Sequence, residues 1–550
     1  MLREKTWLFS VVALLLVSAM LVFAACGTEE AEEPEEPTEE PEEEPEEEPE
    51  EEGPQPGGTI SIAVGGNPAS MDYHLQSDWV SRQAIQPMYE PLLYYDENEQ
   101  LQGRLAVDWE MLDDGMSYII HLREGVTFHD GTEFNAEAVK YNFDRILDPD
   151  FGSRHFNTWD TYVVNVEVVD EYSVRFDLNE PWADFLGQMT WSGQMVSPTA
   201  AEEMGEDFAT HPVGAGPYKF DHYEPDSHIR YVRYDDYWDG APLPEVVEVR
   251  IIPEASTRVI ELEAGTLDMA YGVDAKDVPR LDDAGLTVEN RSTATYQTVY
   301  INLGRAPMID LAVRKAVARA IDRQVMIDQI LLGAATLSRA GVPDVSPYHS
   351  SEVPLIEYDP AEAESILDEA GWILDGEVRR KDGEELELVI LTSDAEQRVL
   401  ISEILQEQLA QIGIKSEVHS LEWGAYLDAM QAGDYHVSYW SLATYAHELG
   451  TGTMNMHSEA YWNVSQILDN PQLAEVVEQV DELIDAVAVT PDTAERAALL
   501  EEFQMMVYDH QLFIPMWHVL SDNPVQPWIR DYNLYNYNIF WLRDAWVEPH

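Results

Sequence analysis

The sequence predicts an α/β protein of two or three domains, on three observations. Residues 386 to 419 read as strand, helix, strand: the apolar run Leu386–Leu391, then Gln397–Ile412 with Leu400, Ile404, Leu405 and Ile412 as its buried stripe, then Ile414–His419. A βαβ unit of this kind lays two parallel strands side by side under a crossing helix. Residues 112 to 147 condense strand, turns and helix into one packing unit, and a chain of 550 residues is long enough for more than one core.

Taken in order, the chain opens with an export signal. Arg3 and Lys5 precede the apolar run Trp7–Phe23, which ends in Phe23-Ala24-Ala25-Cys26. Small residues directly before the only cysteine resemble a bacterial lipoprotein processing site, which makes Cys26 the lipidated residue and residues 1–25 the signal peptide. A single cysteine in an exported protein excludes internal disulfides. Residues 26–56 then form a tether, with 17 Glu between Glu29 and Glu52 interrupted by Pro, and nothing apolar to bury. The whole chain has 31 basic and 105 acidic residues, a formal charge of -74. Without the first 56 residues, 29 basic and 87 acidic residues remain, a charge of -58. Such a surface repels nucleic acid and serves solubility.

The folded part begins with the strand Thr59–Val64, the loop Gly65-Gly66-Asn67-Pro68 leading to Met71-Asp72-Tyr73, and a helix over Val80–Tyr89. In Tyr118–Arg123, Tyr118, Ile120 and Leu122 alternate with Ile119, His121 and Arg123, the period of a strand. Glu124-Gly125 turns the chain, Val126 and Phe128 make a second short strand, and Asp130-Gly131 turns it again. Asn135 caps a helix with Glu137 in its first turn, and Ala136, Val139, Phe143, Ile146 and Leu147 share one face. Strands Val163–Val169 and Ser173–Leu178 form a hairpin about Asp170-Glu171. Val213–Phe220 is a glycine-bearing turn into a strand, not a phosphate loop, because no Lys-Ser/Thr and no helix follow. Further on come the strand Glu245–Ile252, an apolar crossing at Val299–Leu303, a helix capped by Asp310, and another opened by Asp359-Pro360 and stopped at Gly371.

Several of these segments carry a family resemblance. The run DDGMSYIIHLREGVTFHDGTEFNAEAV from Asp113 to Val139 closely resembles the signature of the family 5 extracellular solute-binding proteins, the oligopeptide, dipeptide and nickel receptors of ABC importers. VGAGPYKF at Val213–Phe220, DLAVRKAVARAIDR at Asp310–Arg323, Tyr234–Pro242 and Asn538–Trp546 extend the likeness in order to the end of the chain. The resemblance implies a two-lobed periplasmic-binding-protein-like fold of the large class II type with an extra subdomain in the first lobe. Its expected boundaries are lobe I at 57–90, 208–298 and 518–550, the extra subdomain at 91–207, and lobe II at 299–517. It also implies a monomeric receptor on the outer side of the cell membrane, held by its lipid anchor, that captures a small, peptide-like solute and delivers it to permease subunits. A metal-chelate or other non-peptide solute is the alternative ligand. A surface sensory or interaction protein on the same fold is the alternative role.

Catalytic signatures are missing: no Ser sits in GxSxG, and His447-Glu448 lacks the second His of HExxH. With one cysteine, thiolate metal centres and cysteine nucleophiles are excluded, so the reading is a binding protein with no cofactor and no resident metal. Ligands of α/β lobes favour the loops beyond the carboxyl ends of the strands. Three regions qualify: Asn67, Asp72 and Tyr73 after the first strand; Trp423 and Tyr426 after the strand ending at His419; and Trp440, Thr444, Tyr445 and His447 after a strand His436–Tyr439. Peptide-binding relatives place an Asp shortly after the Trp, where it meets the peptide's amino group. Thr444 stands there instead, with Glu448 four residues on as the only nearby substitute. Since a buried ammonium without a carboxylate is costly, an ordinary free-amino peptide is expected to bind poorly.

Overall fold

One eleven-stranded mixed sheet runs through the protein. The computed structural model describes residue 54 and residues 56–96, 100–112, 115–342, 346–443, 455–460, 463–535 and 538–549, without the side chains of 290–294, 442 and 443, all within the unit Pro54–His550. The strands are β1 (Thr59–Val64), β2 (Tyr218–Glu224), β3 (His228–Arg233), β4 (Val246–Ile251), β5 (Met269–Ala270), β6 (Thr287–Ile301), β7 (Glu387–Ser393), β8 (Lys415–Leu421), β9 (Val437–Ala443) and β10 (Phe513–Val525). They lie in the order β8-β7-β9-β6-β10-β5-β1-β4-β3-β2, with the short strand Ala335–Leu337 beside β10.

Strands β6 and β10, 15 and 13 residues long, pair antiparallel and carry the sheet from one half to the other. Strand β1 is parallel to β4 and β5, and β5 is antiparallel to β10. Strand β7 is parallel to β8 and β9, and β9 is antiparallel to β6 over Thr295–Ile301. The two half-sheets therefore run in opposite senses, and the carboxyl ends of their parallel strands point at each other along the β6–β10 ribbon. Where they meet, the ribbon's register shifts between Ser292 and Tyr296, an irregularity that bends a strand pair.

Buried apolar side chains fall into three main clusters. One draws only on residues between Val299 and Trp517, and one combines the stretches around Ile60–Tyr89, Val196–Phe208, Tyr218–Tyr271 and Val525–Ala545. The third spans Leu92 to Ala215 and covers a separate four-stranded antiparallel sheet, Ala106–Leu112, Ser117–Leu122, Ser173–Leu178 and Val163–Asp170 in spatial order.

The helices needed below are α1 (Trp79–Ile85), α2 (Ala136–Ile146), α3 (Glu396–Gln411) and α4 (Trp423–Ala432). Asn135 caps α2 by accepting from Ala138 N at 3.1 Å, as expected. Gly214 and Gly216 are glycines because the chain presses on the backbone of Met88 and Tyr89, and a Cβ at Gly216 would lie 2.6 Å from the Met88 carbonyl carbon. Three expectations are corrected. Val126 and Phe128 do not form a strand: a lone bridge joins Thr127 to Glu133, and Phe128 turns inward on the bond from its own N–H to Thr132 O, 2.8 Å. Of the stripe expected for α3, Leu405 and Ile412 are buried and Ile404 packs against the core, but Leu400 is 43% exposed and Ile401 and Leu409 are buried instead, because the face turned to the sheet is centred on Leu405. Trp440 belongs to strand β9 itself, which runs on to Ala443 because β6 extends far enough to pair with it.

Candidate functional site

At the carboxyl ends of β7, β8 and β9, three elements each contribute to one wall. The chain leaves β7 and enters α3, placing Arg398 in the first helical turn. It leaves β8 and enters α4, where Glu422 caps the helix by accepting from Gly424 N at 3.0 Å and sets Trp423 as its first residue. Trp440 comes from β9. The Trp423 and Trp440 rings stack at 5.9 Å and 16°, and Tyr426 stacks on Trp440 at 5.6 Å and 26°. Trp423 is 47% exposed while Trp440 and Tyr426 are buried, so Trp423 forms the open face of the stack.

The Arg398 guanidinium lies 5.5 Å from the Trp423 ring centre, 5.6 Å from Trp440 and 6.0 Å from Tyr439, and its Nη1 donates to Tyr439 O at 3.5 Å. It also hydrogen-bonds the Tyr426 hydroxyl and forms no ion pair among the described residues, in a chain with 105 acidic and 31 basic residues. A half-buried guanidinium held against aromatic faces keeps N–H groups available for a planar anion, and carboxylates suit it geometrically. Behind this surface the Tyr426 hydroxyl is bonded to Ser438 Oγ at 2.9 Å, and burial pushes its pKa up to about 12, so it stays neutral. Arg398 was not singled out from the sequence. The available signal is that it is the only basic residue between Lys381 and Lys415, directly after a strand of the βαβ unit.

On the other half-sheet the expected contacts are engaged within the fold. Asn67 Nδ2 donates to Asp226 Oδ1 at 2.6 Å, and its Oδ1 accepts from Asp226 N and the Tyr223 hydroxyl, which fastens the β2–β3 turn to the loop after β1. Asp72 is 1% exposed and accepts from Arg145 Nη1 at 3.0 Å and Nη2 at 2.5 Å, besides capping the short helix Tyr73–Leu75 through His74 N. Tyr73 is fully buried and donates to Trp191 O at 2.5 Å. Nearby, the Arg82 guanidinium covers the Trp191 ring at 3.8 Å. A crevice lined by Arg82, Tyr94, Arg104, Tyr535 and Trp541 has a volume of about 40 Å³, room for two or three waters and not for a peptide. Of the residues expected at the site, the structure thus brings together Trp423, Tyr426 and Trp440, and not Asn67, Asp72 or Tyr73. Thr444, Tyr445, His447, Glu448 and Cys26 lie outside the described residues.

Comparison with known proteins agrees with this architecture. Residues 100–462 match the model of the bacterial extracellular solute-binding proteins, family 5 middle region. The glutathione-binding protein GsiB of Shigella flexneri is 28% identical over 472 residues, covering 83% of this chain and 88% of that protein. Among solved structures, NikA from Brucella suis in complex with Fe(III)-EDTA superimposes with a TM-score of 0.78 at 25% identity, over 89% of this chain and 100% of that one. The nickel ABC transporter protein from Bacillus halodurans gives 0.76 at 27% identity, over 88% and 99%. These are two-lobed binding proteins, and the opposed half-sheets joined by β6 and β10 are the two lobes of the present chain. With the family model matched from Gln100 to Trp462 and the fold shared over 89% of its length, the chain belongs to family 5 of the bacterial extracellular solute-binding proteins.

Proposed function

We propose that this receptor binds a small, carboxylate-bearing, peptide-like solute between its lobes, with Arg398 holding a carboxylate and Trp423 packing on the adjoining apolar part. As a family 5 member the protein is the substrate-binding component of an ABC importer, acting outside the cytoplasm. The observation that carries the proposal is Arg398: half-buried, without an ion pair among the described residues, and beside the exposed Trp423 ring at the carboxyl ends of the parallel strands of lobe II. The relatives named for glutathione and the NikA complex with Fe(III)-EDTA support the ligand class, since glutathione and EDTA both carry more than one carboxylate. A metal complex is the second reading, favoured by that NikA complex and by His447 beside the expected cleft. The ligand then passes to permease subunits from a monomeric receptor, anchored through Cys26 and spaced from the membrane by residues 26–56. The proposed bodies are lobe I at 57–90, 208–298 and 518–550, the extra subdomain at 91–207, and lobe II at 299–517; the three buried clusters support this division in outline, although Val196, Ala200 and Ala201 pack with lobe I and Ala215 with the subdomain.

Calorimetry tests this reading with glutathione, a tripeptide panel, the same tripeptides amidated at the carboxyl end, and Fe(III)-EDTA. Arg398→Ala weakens carboxylate ligands by about 1.5–3 kcal/mol and leaves the amidated peptides unaffected. Equal affinity in wild type and Arg398→Ala for every ligand that binds sinks the proposal. Thr444→Asp strengthens free-amino peptides by about 1.5–3 kcal/mol if the ammonium lacks a carboxylate in the wild type. Permease and ATPase genes beside this one mark an importer, and their absence favours a sensory role.

A further inference from the structure

The β2–β3 hairpin carries a pair of histidines that no ligand-binding role in the interlobe cleft uses. His222 and His228 sit diagonally on its outer face, since His222 is opposite Arg230 and His228 is opposite Glu224. Their Nε2 atoms face each other at 3.0 Å, with the rings at 88°. Each Nδ1 has its own partner: that of His222 lies 3.2 Å from Asp221 Oδ2, and that of His228 lies 2.9 Å from Ser227 Oγ. A carboxylate only accepts, so His222 Nδ1 carries the proton and its Nε2 presents a bare lone pair. In the free protein His228 Nε2–H donates to that lone pair while Ser227 donates to His228 Nδ1. If Ser227 instead accepts from His228 Nδ1–H, both Nε2 atoms carry a lone pair 3.0 Å apart.

We propose that His222 and His228 together chelate one divalent transition-metal ion, Cu²⁺ or Ni²⁺, at the rim of lobe I. Two nitrogens each about 2.1 Å from one ion and at right angles to each other are about 3.0 Å apart, the cis arrangement of square-planar and octahedral sites. Binding moves the His228 proton from Nε2 to Nδ1 by exchange with water, and Ser227 turns from donor to acceptor, with no net proton released. No group of three His, Cys, Asp or Glu side chains suited to a metal occurs among the described residues, so water fills the remaining positions.

Asp221 and Ser227 orient the imidazoles as outer partners of metal-bound histidines do. The hairpin is held in place beforehand by the Asn67 bonds to Asp226 and Tyr223, with Asp226 at φ 62° in the turn. The neighbouring cations are already matched, Arg230 by Asp221 at 2.6 Å and Arg250 by Glu261. Glu224, whose Oε2 is 4.0 Å from His228 Nδ1, and the nearby Glu248 leave the local field attractive to a cation.

The test titrates Cu²⁺ or Ni²⁺ into the metal-stripped full-length protein by calorimetry, with Cu²⁺ paramagnetic resonance as a second readout. Wild type binds one ion that is lost in His222→Ala, His228→Ala and the double variant alike, and its spectrum shows two nitrogen ligands. Asp221→Asn weakens that ion about tenfold or more. Stoichiometry and affinity unaltered by His222→Ala or His228→Ala overturn the proposal. So does an effect of the double variant equal to the sum of two independent single losses, which describes separate one-histidine contacts. The thermal midpoints of these surface variants in the absence of metal match wild type, so loss of binding is not loss of fold.

Discussion

Removing the Asp72 carboxylate separates a ligand contact from a structural ion pair, because the two roles give opposite results. Asp72 is 1% exposed, receives both Arg145 nitrogens at 3.0 and 2.5 Å, and caps the Tyr73–Leu75 turn through His74 N at 3.1 Å. Arg145 is itself 11% exposed at the side chain and packs over Phe151 at 3.9 Å, so it cannot turn to water when its partner is lost. Breaking one side of a buried pair costs about 3–5 kcal/mol, mostly the uncompensated charge. Over a folded unit of about 500 residues, at about 2.1 cal/mol/K of unfolding entropy per residue, 4 kcal/mol lowers the melting temperature by about 4 °C. Asp72→Ala is measured by calorimetric melting and by ligand titration at a temperature where it is folded. Asp72→Asn, which retains the acceptor for His74 N, falls between. Arg145→Met added to Asp72→Asn recovers part of the loss, since an apolar pair leaves no stranded charge. The reasoning fails if Asp72→Ala melts within 1 °C or so of wild type while losing its ligand, for then Asp72 is a ligand contact after all.

Acidification below about pH 6.5 destabilises the protein, as equilibrium urea unfolding at a series of pH values will show. Burial holds His74 down at about 3 and His129, His155 and His436 at about 4. Their contribution is complete above the unfolded imidazole value and is lost as pH falls toward 4. Burial raises Glu90 to about 7 and Asp522 to about 6, which acts oppositely and is lost as pH rises, but these are two groups against four. Stability that is flat or rising from pH 6.5 to 4.5 contradicts this balance. Screening the charge of -58 on residues 57–550 raises the melting temperature from dilute buffer to about 1 M salt, and a flat series means the acidic surface is energetically neutral. Cys26→Ser releases the protein from the membrane fraction, and a variant still processed and membrane-bound is inconsistent with lipidation at that residue. Deleting residues 29–52 leaves ligand affinity within about twofold, read by the same titration.

What the linear sequence determined was chiefly what has its cause within a few residues or in a long run of matching segments. The family was legible from the segments quoted, strand β1 was legible residue for residue, and the caps Asn135, Asp310 and Asp359 each accept the backbone bond expected of them. Periodicity also placed the βαβ unit and most of the buried face of α3, but it counted Leu400 inside, because only the sheet beneath decides where the edge of a helix's buried face falls. The aromatic wall was half legible: Trp423 and Tyr426 were expected just past β8, Trp440 proves to lie within β9, and the guanidinium beside them comes from a third element. Polar roles were the least legible. Asp72 finds Arg145 across 73 residues and is buried with it, and Asn67 finds Asp226 across 159, so both have partners within the fold. An acidic or amide side chain in a loop has the same local signature whether it faces a cleft or a buried cation. Only the tertiary structure decides which, because the energy of a polar group depends on the partner that folding brings within about 3 Å.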